Sequence, residues 1–149
     1  MSSDPSPIEL PAHLHEQISL LCKEGDAFSE QGDYENALSK YREAWALVPE
    51  AKINWEASTW ILAAAGEAYF FQQNYEKALN SFLRAVQGPG GLGNPYIHLR
   101  IGQLQYEAGD LDAAADELTR AYMGAGDEIF SEEDPKYFTF LRTKINMEE

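Results

Sequence analysis

The chain has 149 residues, of which 11 are Lys or Arg and 25 are Asp or Glu, for a net charge of −14. With 44% hydrophobic and 12% aromatic residues it has the composition of a folded domain with a real core, not of an acidic disordered tail. So acidic a balance disfavours nucleic acid and anionic membranes, since neutralising phosphates takes a basic face, and leaves a basic protein as the charged partner to expect.

In chain order, residues 1–10 open with Met-Ser-Ser-Asp-Pro-Ser-Pro. They carry neither the basic nor the apolar region of a secretory signal, and are expected to form a disordered N-terminal segment of a cytoplasmic protein. Pro11 is placed to open a helix that runs through His13, Leu14 and Ile18. Cys22 is the only cysteine, which excludes an internal disulfide and a cysteine-based zinc cage. The most apolar stretch, Thr59 to Phe71, contains Gly66 and Glu67 and is too short to span a bilayer.

From Cys22 onward the chain repeats itself. Gly25-Asp-Ala-Phe28, Gly66-Glu-Ala-Tyr69 and Gly102-Gln-Leu-Gln105 each precede a turn and a second helical run. Those runs begin Gly32-Asp-Tyr-Glu-Asn-Ala37, Gln73-Asn-Tyr-Glu-Lys-Ala78 and Gly109-Asp-Leu-Asp-Ala-Ala114. The first Gly stands 12 residues before the first Ala in all three, and a second Ala follows 7 later, at Ala44, Ala85 and Ala121. Between the alanines sit Tyr41, Phe82 and Leu118. Alanines seven apart share one face of a helix, because seven residues make about two turns. The glycines let a second helix approach the first closely. The Gly-Asp-Tyr linkers supply a residue tolerant of the left-handed conformation and then a capping Asp or Asn. Tyr34, Tyr75 and Leu111 are expected to pack the corners. Tyr69, Tyr75 and Phe82 are expected in the core.

In its small residue, aromatic, Gly-Asp-Tyr, Ala, aromatic and Ala, this pattern resembles the tetratricopeptide repeat, a 34-residue helix–turn–helix unit. In that register the repeats run over about 18–51, 59–92 and 95–128, within a repeat region spanning 11–128. Repeat three departs from the pattern with Gln105 and Leu111 where aromatics are usual. Seven extra residues, Lys52 to Ser58, lengthen either the connection to repeat two or its first helix. The Gly88-Pro-Gly-Gly-Leu-Gly-Asn94 stretch follows a helix and carries no Lys-Ser/Thr, so it reads as an interhelix loop closed by Asn94 as cap and Pro95, not a phosphate cradle. Asp134-Pro135 then starts a helix over Lys136 to Ile145, and 129–149 is expected to form a C-terminal capping helix and tail. The fold class implied is all-α, an α-solenoid of three such repeats plus that cap.

Catalytic chemistry has no foothold. His13 and His15 lie two apart, on different sides of a helix, and His98 is the only other histidine. There is no His-Glu-x-x-His, Gly-x-Ser-x-Gly or Cys-His arrangement, and no pair of carboxylates is singled out. A non-enzyme with no cofactor and no metal is expected.

Binding is better supported. In tetratricopeptide arrays, positions 2, 5, 9, 12 and 13 of each first helix line a concave groove. Carried over by resemblance, these are Ser19, Cys22, Asp26, Ser29 and Glu30 in repeat one, and Trp60, Ala63, Glu67, Phe70 and Phe71 in repeat two. In repeat three they are Tyr96, Leu99, Gln103, Tyr106 and Glu107. The expected partner-binding groove is accordingly Asp26, Trp60, Ala63, Glu67, Phe70, Tyr96, Leu99, Gln103, Tyr106 and Glu107. Aromatic anchors beside carboxylates suit a basic or amphipathic protein segment. The clamp by which some members of the family hold a chaperone's C-terminal carboxylate is not matched: Cys22 and Asp26 stand at its first positions and only Arg100 resembles its cationic part. Two roles fit a small acidic protein of this resemblance. One is an immunity protein that masks a bacterial toxin; the other is a secretion chaperone or assembly adaptor that holds a client segment.

Overall fold

A computed structural model describes residues 10–145, so the expectations for 1–9 and for the tail from 146 onward lie outside the described residues. Among the described residues there are seven α-helices and no strand: α1 (Ala12–Glu30), α2 (Tyr34–Leu47), α3 (Glu56–Phe71), α4 (Tyr75–Ala85), α5 (Pro95–Glu107), α6 (Leu111–Ala125) and α7 (Pro135–Arg142). They pack in the pairs α1–α2, α3–α4 and α5–α6, each pair stacked on the next through α2–α3 and α4–α5. This is an all-α solenoid of three helix–turn–helix units with a short C-terminal helix against the last.

The small-to-large pairing explains why each hairpin closes. A methyl group added at Gly25 would stand 2.5 Å from the Tyr41 ring, one at Gly66 2.8 Å from Phe82, and one at Gly102 2.7 Å from Leu118. Those large residues are buried, and the flanking alanines Ala37, Ala44, Ala78, Ala85, Ala114 and Ala121 are completely so. Each hairpin interface is therefore a large side chain laid on bare backbone, between two small residues that let the helices touch.

The three turns are built alike. Gly32, Gln73 and Gly109 all take positive φ, at 78°, 63° and 85°. The next residue closes the first helix by donating to a carbonyl five positions back: Asp33 to Phe28, Asn74 to Tyr69 and Asp110 to Gln105. The same residue then caps the second helix, its side chain accepting from the backbone of Asn36, Lys77 or Ala113. One residue thus ends one helix and begins the next, which is why the motif is so compact.

The insertion before repeat two resolves into both options. Lys52–Asn54 form a single 3-10 turn, and α3 starts at Glu56, ahead of the repeat's first position. The glycine-rich stretch is a loop: Gly88 approaches α3 closely enough that a Cβ would stand against the Thr59 hydroxyl, which donates to Pro89 O at 3.0 Å. Asn94 caps α5 through the amides of Tyr96 and Ile97, with Pro95 in the first turn. Asp134 likewise caps α7, which ends at Arg142, earlier than the apolar spacing to Ile145 implied.

The corner residues correct one expectation. Phe82 is fully buried and Tyr69 partly, but Tyr75 is 38% exposed and Leu111 is exposed as well. All three corner residues open their helices, so what covers them must come from the neighbouring repeat: Tyr34 meets Phe71, while the position corresponding to Phe71 in repeat three is Glu107. Tyr34 does pack, stacked 6.0 Å from Phe71.

Candidate functional site

The first helices α1, α3 and α5 present the face expected to bind. On α1, Asp26 is exposed and accepts a 2.6 Å hydrogen bond from the Tyr41 hydroxyl, which also lies 3.4 Å from Ser29 Oγ. Burial, and then this bond to Asp26, push the Tyr41 hydroxyl well above its ordinary range. Burial first and the charge of Asp26 second push the Cys22 thiol up to about 11, so the one thiol is protonated at neutral pH and a poor nucleophile.

On α3, Trp60 is 43% exposed, with its ring edge-on to His15 at 5.8 Å. Ala63 and Phe70 are half-buried against the second core cluster. Glu67 is committed: its carboxylate accepts from Arg100 Nε at 2.7 Å and Nη2 at 3.1 Å, and from the Tyr96 hydroxyl. Phe71, left ambiguous by its repeat position, is 51% exposed.

Arg100 on α5 organises the centre of the face. Its side chain is only 3% exposed and is shared between three elements. Besides Glu67 it donates to Gln103 Oε1 at 2.7 Å and to Glu133 Oε1 at 2.5 Å, while Nη2 also donates to the Tyr96 hydroxyl at 2.7 Å. The guanidinium lies 4.5 Å from the Phe70 ring and 4.9 Å from Tyr96. Burial works against the charged form, but the hydrogen bonds and charge of Glu67 outweigh it and raise the Arg100 pKa further. For Tyr96, burial is the leading cause of a hydroxyl pKa above the ordinary range.

The rest of the third repeat's expected groove is covered. Leu99 and Gln103 are 0% exposed. Leu99 joins a core cluster with Phe130, Tyr137 and Leu141, and Gln103 Nε2 donates to Glu133 at 2.9 Å. Tyr106 is half-buried between Tyr137 at 5.5 Å and Phe140 at 5.1 Å. Glu107 accepts from the Tyr137 hydroxyl at 2.7 Å and pairs with Lys136 at 2.8 Å. Burial tends to raise the Glu107 pKa, but the hydrogen bonds from Lys136 and Tyr137 prevail and hold it below the usual carboxylate range. These four side chains contact the C-terminal segment of the chain itself, which buries Leu99 and Gln103 and half-buries Tyr106, while Glu107 stays exposed at its edge. The open face is narrower than expected: Asp26, Trp60 and Tyr96 at the surface, with Ala63 and Phe70 between them and Glu67 neutralised by Arg100.

Two residues lay outside the expected site. Glu133 completes the Arg100 cluster from the segment before α7. His98, 5% exposed, bridges the Leu92 carbonyl of the glycine-rich loop at 2.6 Å and Glu117 of α6 at 2.5 Å, pinning the loop to the last repeat. His98 stands among apolar residues of its helix, which signals a polar group needing a partner when buried, whereas Glu133 lies in the acidic run Glu132 to Asp134 and nothing local singled it out. Among the described residues no group of His, Cys, Asp and Glu is arranged to hold a metal ion. No described helix is long and apolar enough to cross a membrane.

Known proteins agree with this architecture. Residues 63–128 match the family model described as tetratricopeptide repeat. The second tetratricopeptide-repeat domain of Spaghetti (RPAP3), bound to the HSP90 peptide SRMEEVD, superposes with a TM-score of 0.64 at 21% identity, covering 76% of this chain and 99% of that one. The second such domain of human RPAP3, in complex with the HSP70 peptide SGPTIEEVD, has a TM-score of 0.65 at 21% identity, covering 89% of this chain and 99% of that one. No curated protein sequence matches. The family's repeat is thus matched over residues 63–128, and the fold of the described helices is that of tetratricopeptide-repeat domains.

Proposed function

We propose that this chain is a non-catalytic protein-binding domain that takes a basic or amphipathic segment of a partner against the open part of the inner face. The observation that carries the reading is the exposed pair Trp60 and Tyr96 on the first helices α3 and α5, with the exposed carboxylate of Asp26 on the first helix α1. Aromatic rings supply apolar anchorage, and a neighbouring carboxylate selects Lys or Arg over Asp or Glu.

The structural relatives are bound to peptides ending Glu-Glu-Val-Asp, which are acidic. Here the one cation on the face, Arg100, is already shared by Glu67 and Glu133. An acidic peptide would have to displace those carboxylates and meet Asp26 besides, so charge favours a basic segment. The concrete form of this reading is an immunity protein that masks a bacterial toxin, the net charge of −14 speeding its encounter with a basic target. A secretion chaperone or assembly adaptor would use the same surface for a client segment.

Affinity purification of the tagged chain from its source cell, with the captured protein identified, tests the reading. A toxin from an adjacent gene selects the first form, provided co-expression protects the cell; a secreted client selects the second. Trp60→Ala should then weaken binding by a factor of about 10 to 100, as for an aromatic anchor, with helicity unchanged. Recovery of acidic partners alone, or an unchanged affinity in Trp60→Ala, would remove the basis for this assignment.

A further inference from the structure

The second helices α2 and α4 enclose an apolar cleft bordered by two guanidinium groups. Between α2 and α4, floored by α3, lies a cleft of about 180 Å3. Ile61 and Leu62 form its floor and are buried; Trp45 and Tyr69 are its half-buried aromatic walls; Arg42 and Arg84 stand exposed at its rim. The Arg84 guanidinium lies 5.2 Å from the Trp45 ring, and Lys52 Nζ approaches the same ring at 5.6 Å. Lys77 Nζ is 5.8 Å from the Tyr69 ring.

Arg42, Lys52, Lys77 and Arg84 thus gather around one cleft, out of 11 Lys and Arg in a chain of net charge −14. Among the described residues none of the four pairs with a carboxylate; the ion pairs are made by Lys40, His98, Arg100, Arg120 and Lys136. Lys52 donates instead to the carbonyls of Trp45 and Val48. In a chain with more than twice as many carboxylates as cations, unpaired guanidinium groups bordering an apolar pit are complementary to something outside it. The pit is smaller than the roughly 300–1,000 Å3 of small-molecule sites, and matches a single side chain.

We propose that this cleft is a second docking site, for an acidic protein segment that places one apolar side chain in the pit and its carboxylates on Arg42 and Arg84. A guanidinium can meet a carboxylate with two parallel hydrogen bonds, and the flanking rings hold it in place for that contact. The site is independent of the inner face, and the opposite charge preferences of the two surfaces keep their partners distinct.

The test is a titration of the isotope-labelled full chain with the peptide Glu-Glu-Phe-Glu-Glu and, separately, Lys-Lys-Phe-Lys-Lys, followed by amide chemical shifts. The acidic peptide should shift resonances around Arg42, Trp45, Tyr69 and Arg84, less so as salt is raised. The pair Arg42→Glu and Arg84→Glu should weaken it at least about tenfold, and Arg42→Lys with Arg84→Lys should largely retain it. Ser81→Phe, which fills the cleft without altering charge, should abolish it even if the charge reversal disturbs folding. The proposal is overturned if no shift occurs at millimolar peptide, if the lysine peptide binds equally, or if the shifts fall instead around the inner-face residues Asp26, Trp60 and Tyr96. It is also overturned if sedimentation shows the chain associating with itself through this cleft, since the occupant would then be a second copy.

Discussion

The inner face is open over repeats one and two but closed over all of repeat three beyond Tyr96, although all three follow one pattern. At the ninth position Asp26 is exposed and Glu67 partly so, whereas Gln103 is 0% exposed. A repeat position sets the direction of a side chain, but what lies in that direction depends on what is stacked there. The last unit of a solenoid would leave its apolar face in water, so it must be capped. Here the cap uses Phe130, Tyr137 and Leu141 for burial, with Glu133 and Lys136 for orientation. Equivalent positions of the inner face are therefore exposed or capped according to the repeat they belong to.

The division should break most severely at Arg100, which ties the open part to the closed part. Arg100→Ala strips two partly buried carboxylates, Glu67 and Glu133, of their shared cation and empties a buried site, and should cost about 3 kcal/mol. Arg100→Met, which keeps the packing against Phe70, should also lose stability, but acidification should recover part of that loss as the carboxylates protonate. Thermal or denaturant unfolding measures both; a loss below about 1 kcal/mol in Arg100→Ala would mean the cluster is incidental. Next in size, Leu141→Ala empties a fully buried site beneath α7 and should cost about 2–4 kcal/mol. Hydrogen exchange should then rise in α7 and around Tyr106 while α1 and α3 remain protected. Equal loosening of all three repeats would show that the two regions are not separable.

A smaller effect of opposite sign is expected inside repeat three. Gln105 stands where repeats one and two have Phe28 and Tyr69, and its side-chain oxygen is buried without a hydrogen-bond partner. Gln105→Leu should stabilise the fold by about 1 kcal/mol, seen as a higher Tm; a lower Tm would mean that the amide is satisfied by water. Smallest is the response to acid. Because Glu107 has a lowered pKa in the folded chain, its contribution to holding α7 is complete above the unfolded carboxylate value near 4.5 and is lost as pH falls through the lower folded value. Exchange protection of α7 should fall in that window before that of α1, and Glu107→Gln should flatten the difference.

Much of the hairpin geometry could be read directly from residues. Gly25 meets Tyr41, Gly66 meets Phe82 and Gly102 meets Leu118, each pair 16 apart in the chain. A pairing at constant separation repeats as a visible pattern. The turns were legible for the same reason, since a left-handed residue followed by Asp or Asn is a local signal. The site was less so. Arg100 finds Glu67 and Glu133 at 33 residues on either side, one inside the repeats and one beyond them, and no local spacing announces that meeting. Tyr75 and Leu111 look like core by type, yet they are exposed where Tyr34 at the same helix position is covered by Phe71 of the next repeat.

What the amino-acid order determined by itself was the unit: a large side chain on a glycine, two alanines flanking it, a cap that serves two helices, and hence an all-α stack. Those interactions lie within one repeat or one turn, where spacing along the chain is spacing in space. The tertiary structure alone decided which carboxylates of this acidic chain remain available. Glu67 and Glu107 are taken up by Arg100, Tyr137 and Lys136, Asp26 stays at the surface, and Arg42 and Arg84 stand exposed at the cleft between α2 and α4. Charges act through space on whatever the fold brings near, so their balance at each surface is a property of the folded chain.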